Sequence, residues 1–176
     1  MPIGPDSIVI RQLTAEDAPA FQALRLAALE ACPTAFGASV EDERALAISA
    51  VARRIAPADH GNAGGVGAFD GAELAGMACV FRAAGRKEAH KAHLVSVYVA
   101  PPWRGLGVST QLVTAAISMA QAMTGVRRIN LTVNVANKPA LALYRRLGFV
   151  IYGEEPEGLC VNGEYQNEYL MSLALA

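Results

Sequence analysis

This chain has little cysteine, no surplus of charge of either sign, and one long stretch with no charge at all. The three cysteines among its 176 residues, Cys32, Cys79 and Cys160, stand far apart. That number and spacing build neither a disulfide framework nor a zinc site, so a reducing, cytoplasmic setting is expected and no metal. Lys and Arg number 15 against 16 Asp and Glu, a net charge of −1. Such a balance provides no broad electrostatic grip on nucleic acid or on an anionic membrane surface. A secretory leader is not expected either, because Met1-Pro-Ile-Gly-Pro-Asp6 has neither a basic nor an apolar run. The uncharged stretch lies between Arg104 and Arg127 and is long enough to cross a bilayer. It carries Gly105, Gly107, Ser109, Thr110, Gln111, Thr114, Ser118, Gln121 and Thr124, too polar a set for lipid on all sides. A helix inside a globular domain is the expectation.

What is present is apolar. A hydrophobic content of 53% with 18% charged residues excludes intrinsic disorder, and the length suits one domain over residues 5–176. No repeat or linker interrupts it. Residues 7–13 predict a first strand, and Thr14 opens a helix with Asp17 as its capping-box partner. Phe21, Leu24, Ala27, Ala28 and Ala31 continue at helical spacing until Pro33. Ser39 or Glu41 leads into a second helix over 41–56, closed by Pro57. Strands over 66–69 and 73–82 flank Asp70-Gly71, a hairpin signal. His93–Val99 reads as a central strand stopped by Pro101-Pro102. It is followed by a helix over 106–123, a strand over 128–135, a helix over 138–147 capped by Gly148, and strands over 149–154 and 165–174. The order β α α β β β α β α β β points to an α/β arrangement, a mixed sheet with helices on both faces.

Arg104-Gly-Leu-Gly107-Val-Ser109 falls where the central strand has ended and a helix begins. The first turn of a helix presents N–H groups without intrahelical partners at the positive end of its dipole. Glycines at 105 and 107 remove side chains that would hold an anion away, and Arg104 adds charge. A pyrophosphate seat is expected here. A P-loop would need Gly-Lys-Ser/Thr, and a dinucleotide-binding unit a third glycine where Thr110 stands, with an acid about 20 residues on. Neither is met. After the next strand, Asn137-Lys-Pro-Ala140 begins a helix that Asn137 can cap, with Ala140, Leu143 and Leu147 on one face and Tyr144 one turn beyond Ala140.

Joined in this order, the segments Val99-Ala-Pro-Pro-Trp-Arg104-Gly-Leu-Gly107-Val-Ser109 and Asn137-Lys-Pro-Ala140-Leu-Ala-Leu-Tyr144-Arg-Arg-Leu-Gly148-Phe149 resemble the GNAT acyltransferase superfamily. The run Asp17…Leu24-Arg25…Pro33-Thr-Ala-Phe36-Gly is similar to the start of many of its small-molecule and peptide acetyltransferases. The resemblance implies a mixed, mostly antiparallel sheet whose fourth and fifth strands, His93–Val99 and Ile129–Val135, splay apart around the pantetheine arm of acetyl-CoA. Backbone groups of Val97, Tyr98 and Val99 would pair with that arm, one N–H stabilising the thioester oxyanion. Arg104, Gly105, Leu106, Gly107, Val108 and Ser109 would hold the pyrophosphate, and Asn137 would touch the cofactor arm.

The implied reaction is direct attack of a neutral amine on the acetyl carbonyl, with Tyr144 as the acid for the leaving sulfur. His93 shares the strand parity of Val95, Val97 and Val99 on this reading and could accept the amine's proton directly or through water. Glu30 or Glu41 could instead draw the amine in. Two departures stand out: Ser109 replaces the usual Gly or Ala, and the strand over 94–99 has no glutamate. The acceptor would be a small-molecule or peptide amine, bordered by Pro33–Ser39 and the hairpin near Glu157–Gln166. Dimers are common in such folds. A non-catalytic acyl-CoA-binding sensor or scaffold is the alternative, one that would have no need of Tyr144.

Overall fold

The computed structural model describes residues 7–57 and 61–175; the opening hexapeptide, residues 58–60 and Ala176 lie outside the described residues. The order is β1 (Ile8–Gln12), α1 (Ala18–Ala31), α2 (Val40–Arg44), α3 (Ile48–Ile55), β2 (Ala63–Asp70), β3 (Glu73–Arg82), β4 (Lys91–Val99), α4 (Val108–Ala122), β5 (Arg128–Asn134), α5 (Lys138–Arg146), β6 (Val150–Val161) and β7 (Glu164–Ala174). The seven strands form one sheet ordered β1-β2-β3-β4-β5-β7-β6. Every neighbouring pair is antiparallel except β4 with β5.

The uncharged stretch becomes α4. Val108, Leu112, Val113, Ala116 and Ala120 are its buried residues, and Gln111, Thr114, Ser118 and Gln121 are exposed. One-sided burial explains how a segment without charge stays compatible with water. No helix among the described residues is long and apolar enough to cross a membrane. On the α4 face the core is built from Val66, Ala78, Val80, Leu94, Ile129, Val133 and their neighbours. The other face packs Phe69, Met77, Cys79 and Tyr98 against Leu13, Phe21, Val51 and Ile55 from the first third of the chain.

Several boundaries differ from expectation. Thr14 and Asp17 do form the capping box, but around a 3₁₀ turn (Ala15–Asp17) that precedes α1. The helix expected over 41–56 is two helices, because Ala47 is extended at φ −65°, ψ 144°. Glu43 of α2 is thereby turned inward, 2% exposed, between Arg25 of α1 and Arg54 of α3. The last hairpin is longer than read: β6 runs on to Val161 through two irregularities. It turns at Asn162-Gly163, with φ of 52° and 81°.

Strand parity along β4 is also corrected. Cys79 pairs with Val95 but Met77 with Tyr98, so an extra residue enters β4 at Ser96, where φ is 58°. A bulge of one residue exchanges the faces of everything beyond it. His93 and Val95 therefore share the face of Cys79 and Tyr98, whereas Val97 and Val99 pack on the α4 side.

Candidate active site

β4 and β5 pair at only three positions, Lys91 with Arg128, Ala92 with Ile129 and His93 with Asn130. Past that point β4 still pairs with β3 as far as Val99, and β5 with β7 as far as Asn134. Each strand is held by its outer neighbour while the inner edges part. Between them opens a cleft of about 430 Å³. Val97, Tyr98 and Val99 form its β4 wall, Thr132 and Val133 its β5 wall, and Leu143 and Tyr144 of α5, with the cap residue Asn137, its side.

The turn into α4 closes one end. Gly105 and Gly107 adopt φ of 78° and 77°, conformations that a Cβ would strain. Trp103 is pinned by its indole N–H donating to Asp70 Oδ2 at 3.0 Å. Arg104 Nε donates to the Val99 carbonyl at 2.8 Å, and its guanidinium lies 5.4 Å from the Tyr98 ring centroid. Its charge is thus held at the mouth of the gap. Arg104, Gly105, Val108 and Ser109 line the cleft; Leu106 and Gly107 shape the turn but are not among the lining residues. Asn137 also lines it while its Oδ1 accepts from the Ala140 N–H at 3.3 Å, capping α5.

The loop expected over Pro33–Ser39 supplies the opposite rim, while Cys32 and Asn134 were not foreseen. Cys32, Ala35 and Phe36, around the 3₁₀ turn Pro33–Ala35, line the cleft. That turn is tied down by buried Asn134, whose Nδ2 donates to the Thr34 carbonyl and to Gln166 Oε1, both at 3.2 Å. Nothing in local periodicity marks Asn134, because its partners are 100 and 32 residues away. Glu30 is exposed and paired with Arg44 at 3.1 Å, and Glu41 is an exposed residue of α2. Neither lines the cleft.

His93 is placed differently from the other predicted residues. It borders a second hollow of about 180 Å³ with Phe81, Val95, Asn130 and Tyr152, its ring stacked on Phe81 at 5.2 Å. Thr132 borders both spaces.

The Acetyltransferase (GNAT) family profile matches residues 23–149. The chain belongs to the GNAT acetyltransferase family. An L-amino acid N-acetyltransferase of Escherichia coli is 39% identical over 70 residues, 40% of this GNAT chain and 43% of that protein. An N-alpha-acetyltransferase of Arabidopsis thaliana is 39% identical over 64 residues, 36% and 33% of the two chains. The match thus spans less than half the length of either relative. Among solved structures, a GNAT-family acetyltransferase from Streptococcus pneumoniae superposes with a TM-score of 0.82 at 25% identity, covering 96% of this chain and 99% of that one. A Salmonella typhimurium acetyltransferase with its cofactor acetyl-CoA shares the fold, with a TM-score of 0.80 at 16% identity over 96% and 94% of the chains.

Among the shifted titrating groups of this GNAT domain are the two singled out from the sequence, Tyr144 and His93. Tyr144 is 7% exposed, edge-on to Phe149 at 5.7 Å, and burial raises its pKa far above the ordinary phenol value. The phenol remains a proton donor at any physiological pH. The pKa of His93 is lowered, mainly by burial and then by Lys91, so its imidazole is neutral at pH 7 and able to accept a proton.

Proposed function

We propose that this chain, one domain over residues 5–176, moves an acetyl group from acetyl-CoA to a primary amine of a small molecule or peptide. The parting of β4 and β5 beyond His93 and Asn130 carries this reading. The family uses acetyl-CoA, and the gap offers a strand-like edge at Val97–Val99 for the amides of the pantetheine arm, ahead of a glycine turn suited to a diphosphate. Arg104, with Leu106 and Gly107 holding the turn, directs N–H groups and positive charge toward that end. Asn137 borders the arm from α5.

The amine attacks the thioester carbonyl, and the oxyanion that develops is met by a backbone N–H of the bulged segment Val97–Val99. The carbon–nitrogen bond forms first; as the oxyanion collapses back to a carbonyl the carbon–sulfur bond breaks, and Tyr144 supplies a proton to the leaving thiolate. His93 takes the amine's proton, directly or through water where its hollow meets the cleft at Thr132. The acceptor enters between Phe36 and the β6–β7 hairpin.

Calorimetry with acetyl-CoA, then release of free CoA across amino acids, N-terminal peptides, polyamines and aminoglycosides, tests the reading. Binding together with turnover of one acceptor class is expected. Failure to bind acetyl-CoA, or a bound structure with no ligand between β4 and β5, overturns it.

A further inference from the structure

Residues 33–38 continue the cleft rim beside the proposed acceptor entry, and their regular structure is limited to the single turn Pro33–Ala35. Among the described residues, one hydrogen bond alone ties this stretch to the sheet: Asn134 Nδ2 donates to the Thr34 carbonyl at 3.2 Å. A segment so sparsely bonded opens at low cost, so a single tie decides where it rests. Asn134 ends β5 and is 4% exposed, and both ends of its amide are engaged. Nδ2 also donates to Gln166 Oε1 of β7 at 3.2 Å, and Oδ1 accepts from the Ala136 N–H at 2.8 Å. An amide is the side-chain group that offers two N–H donors at one end and a carbonyl acceptor at the other. One side chain thereby joins the turn before Phe36, the last hairpin, and the β5–α5 turn that leads to Asn137. The next residue of β7 from Gln166 fixes the hairpin in turn. Asn167 Oδ1 accepts the Glu157 N–H at 3.0 Å, and its Nδ2 donates to Glu154 Oε1 at 2.8 Å. There the hairpin meets the rim, since a Cβ on Gly37 would lie 3.9 Å from Leu159 Cδ2.

We propose that Asn134 is the positioning residue of the acceptor side, holding Cys32 and Phe36 against the cleft through Thr34. The inference rests on the acetyl-transfer reading above, which makes this rim the acceptor's. Asn134 does not itself line the cleft; it acts through the turn it anchors. Phe36 is the side chain it sets, with the ring 6.4 Å from that of Tyr98 and 4.7 Å from the Arg25 guanidinium. Without the tie the rim moves outward, and the amine loses one wall of its approach to the thioester carbon. The glycine turn at Arg104–Ser109 receives no hydrogen bond from Asn134, so the donor's diphosphate keeps its seat.

The test uses Asn134→Ser and Asn134→Asp in the full chain. Serine keeps an oxygen for the Ala136 N–H, as an ST turn, and aspartate keeps the size; both lose the two N–H donors. Iodoacetamide reads the rim without any acceptor. Alkylation of Cys32 is expected to quicken about threefold or more relative to exposed Cys160, while buried Cys79 stays unreacted, which separates local opening from unfolding. In steady-state assays with the fastest of the amino acid, peptide, polyamine and aminoglycoside acceptors, the amine KM is expected to rise about five- to tenfold, the worth of one hydrogen bond. Both kcat and acetyl-CoA affinity should stay within about twofold. Beside Phe36→Ala the Asn134→Ser effect on KM should vanish, because both act through the same ring. Phe36→Ala alone should raise the amine KM to a similar extent, which keeps the proposal falsifiable if both Asn134 variants misfold. An unchanged Cys32 rate in a folded variant overturns it. So do equal losses of amine and acetyl-CoA affinity, an Asn134→Ser effect that survives in full beside Phe36→Ala, or an unchanged amine KM in Phe36→Ala itself. If the wild type binds no acetyl-CoA, the transfer reading has failed; if it transfers acetyl and the variants leave the amine KM alone, only this inference has.

Discussion

His93 and Asn130 are the last residues to face each other across β4 and β5, and the chemistry attributed to this chain begins where their pairing stops. Asn130 is held from the far side: its Oδ1 accepts from Ser172 Oγ at 2.8 Å, and that oxygen in turn accepts from Arg128 Nη1 at 3.0 Å. Anchoring β5 to β7 at this height lets its other edge turn away from β4 without fraying.

Replacing Tyr144 by Phe removes the phenol proton proposed for the leaving thiolate and leaves the ring packed on Phe149. Turnover should fall by about 100-fold with little change in acetyl-CoA affinity. Steady-state rates set beside calorimetry separate the two effects. Equal losses in both would remove Tyr144 from its role as acid, and a non-catalytic module would show no turnover to lose.

The lowered pKa of His93 has a sign that can be checked. With the folded value below the ordinary imidazole value, His93 stays neutral through neutral pH, the form its proposed role as base requires. The His93-dependent rate declines only as pH falls below that range. Stability follows the same direction: the unfolded chain binds this proton first, so falling pH erodes folding through this group. His93→Gln should abolish the acidic limb of the kcat profile, and a limb that survives in the variant points to a different base.

Gly105 at φ 78° has nothing within 4 Å of a built Cβ, so Gly105→Ala meets a backbone penalty and no steric one. A loss of about 1–2 kcal/mol in urea unfolding is expected, with weaker acetyl-CoA binding. Unchanged stability would mean the turn relaxes freely.

Glu43 lies between two cations. Arg54 takes its carboxylate through both Nη groups, and Arg25 Nε stands 3.6 Å away with no hydrogen bond. Glu43→Gln leaves Arg25 buried without a counter-charge, so a loss of about 3 kcal/mol is expected. Denaturant unfolding measures it. Arg25 also lies 4.7 Å from the Phe36 ring centroid, so the acceptor KM should rise while acetyl-CoA affinity holds.

The cysteines differ in access. Cys160 is exposed, Cys32 is half-buried in the cleft wall, and Cys79 is buried with its pKa pushed up to about 12 by desolvation. Iodoacetamide mapping should find Cys160 modified first, Cys32 protected by acetyl-CoA, and Cys79 unreacted until the chain unfolds.

Local chemistry made much of this legible. Thr14 with Asp17, Asp70-Gly71, the glycine turn at 105–107 and the Asn137 cap all work through neighbours within a few residues; the last three appear at their expected places, and the Thr14–Asp17 box forms around a 3₁₀ turn just ahead of α1. The bulge at Ser96 was hidden, because it exists only relative to the register of β3, and parity counted along one strand cannot register an inserted residue. It alone moved His93 away from Val97 and Val99. The break between α2 and α3 was also hidden: Ala45–Ala47 forms helix readily, and the inward turn of Glu43 depends on arginines from two other helices.

By itself the sequence determined which segments bend, cap and bury, and the ordered motifs that mark the family, because those depend on residue type and short spacing. Tertiary structure alone decided where β4 and β5 separate, which face each β4 side chain takes, and that Phe36, Thr132 and Asn137 meet around one cleft. Those outcomes follow from strand register and from packing between residues far apart in the chain, where no local pattern carries the information.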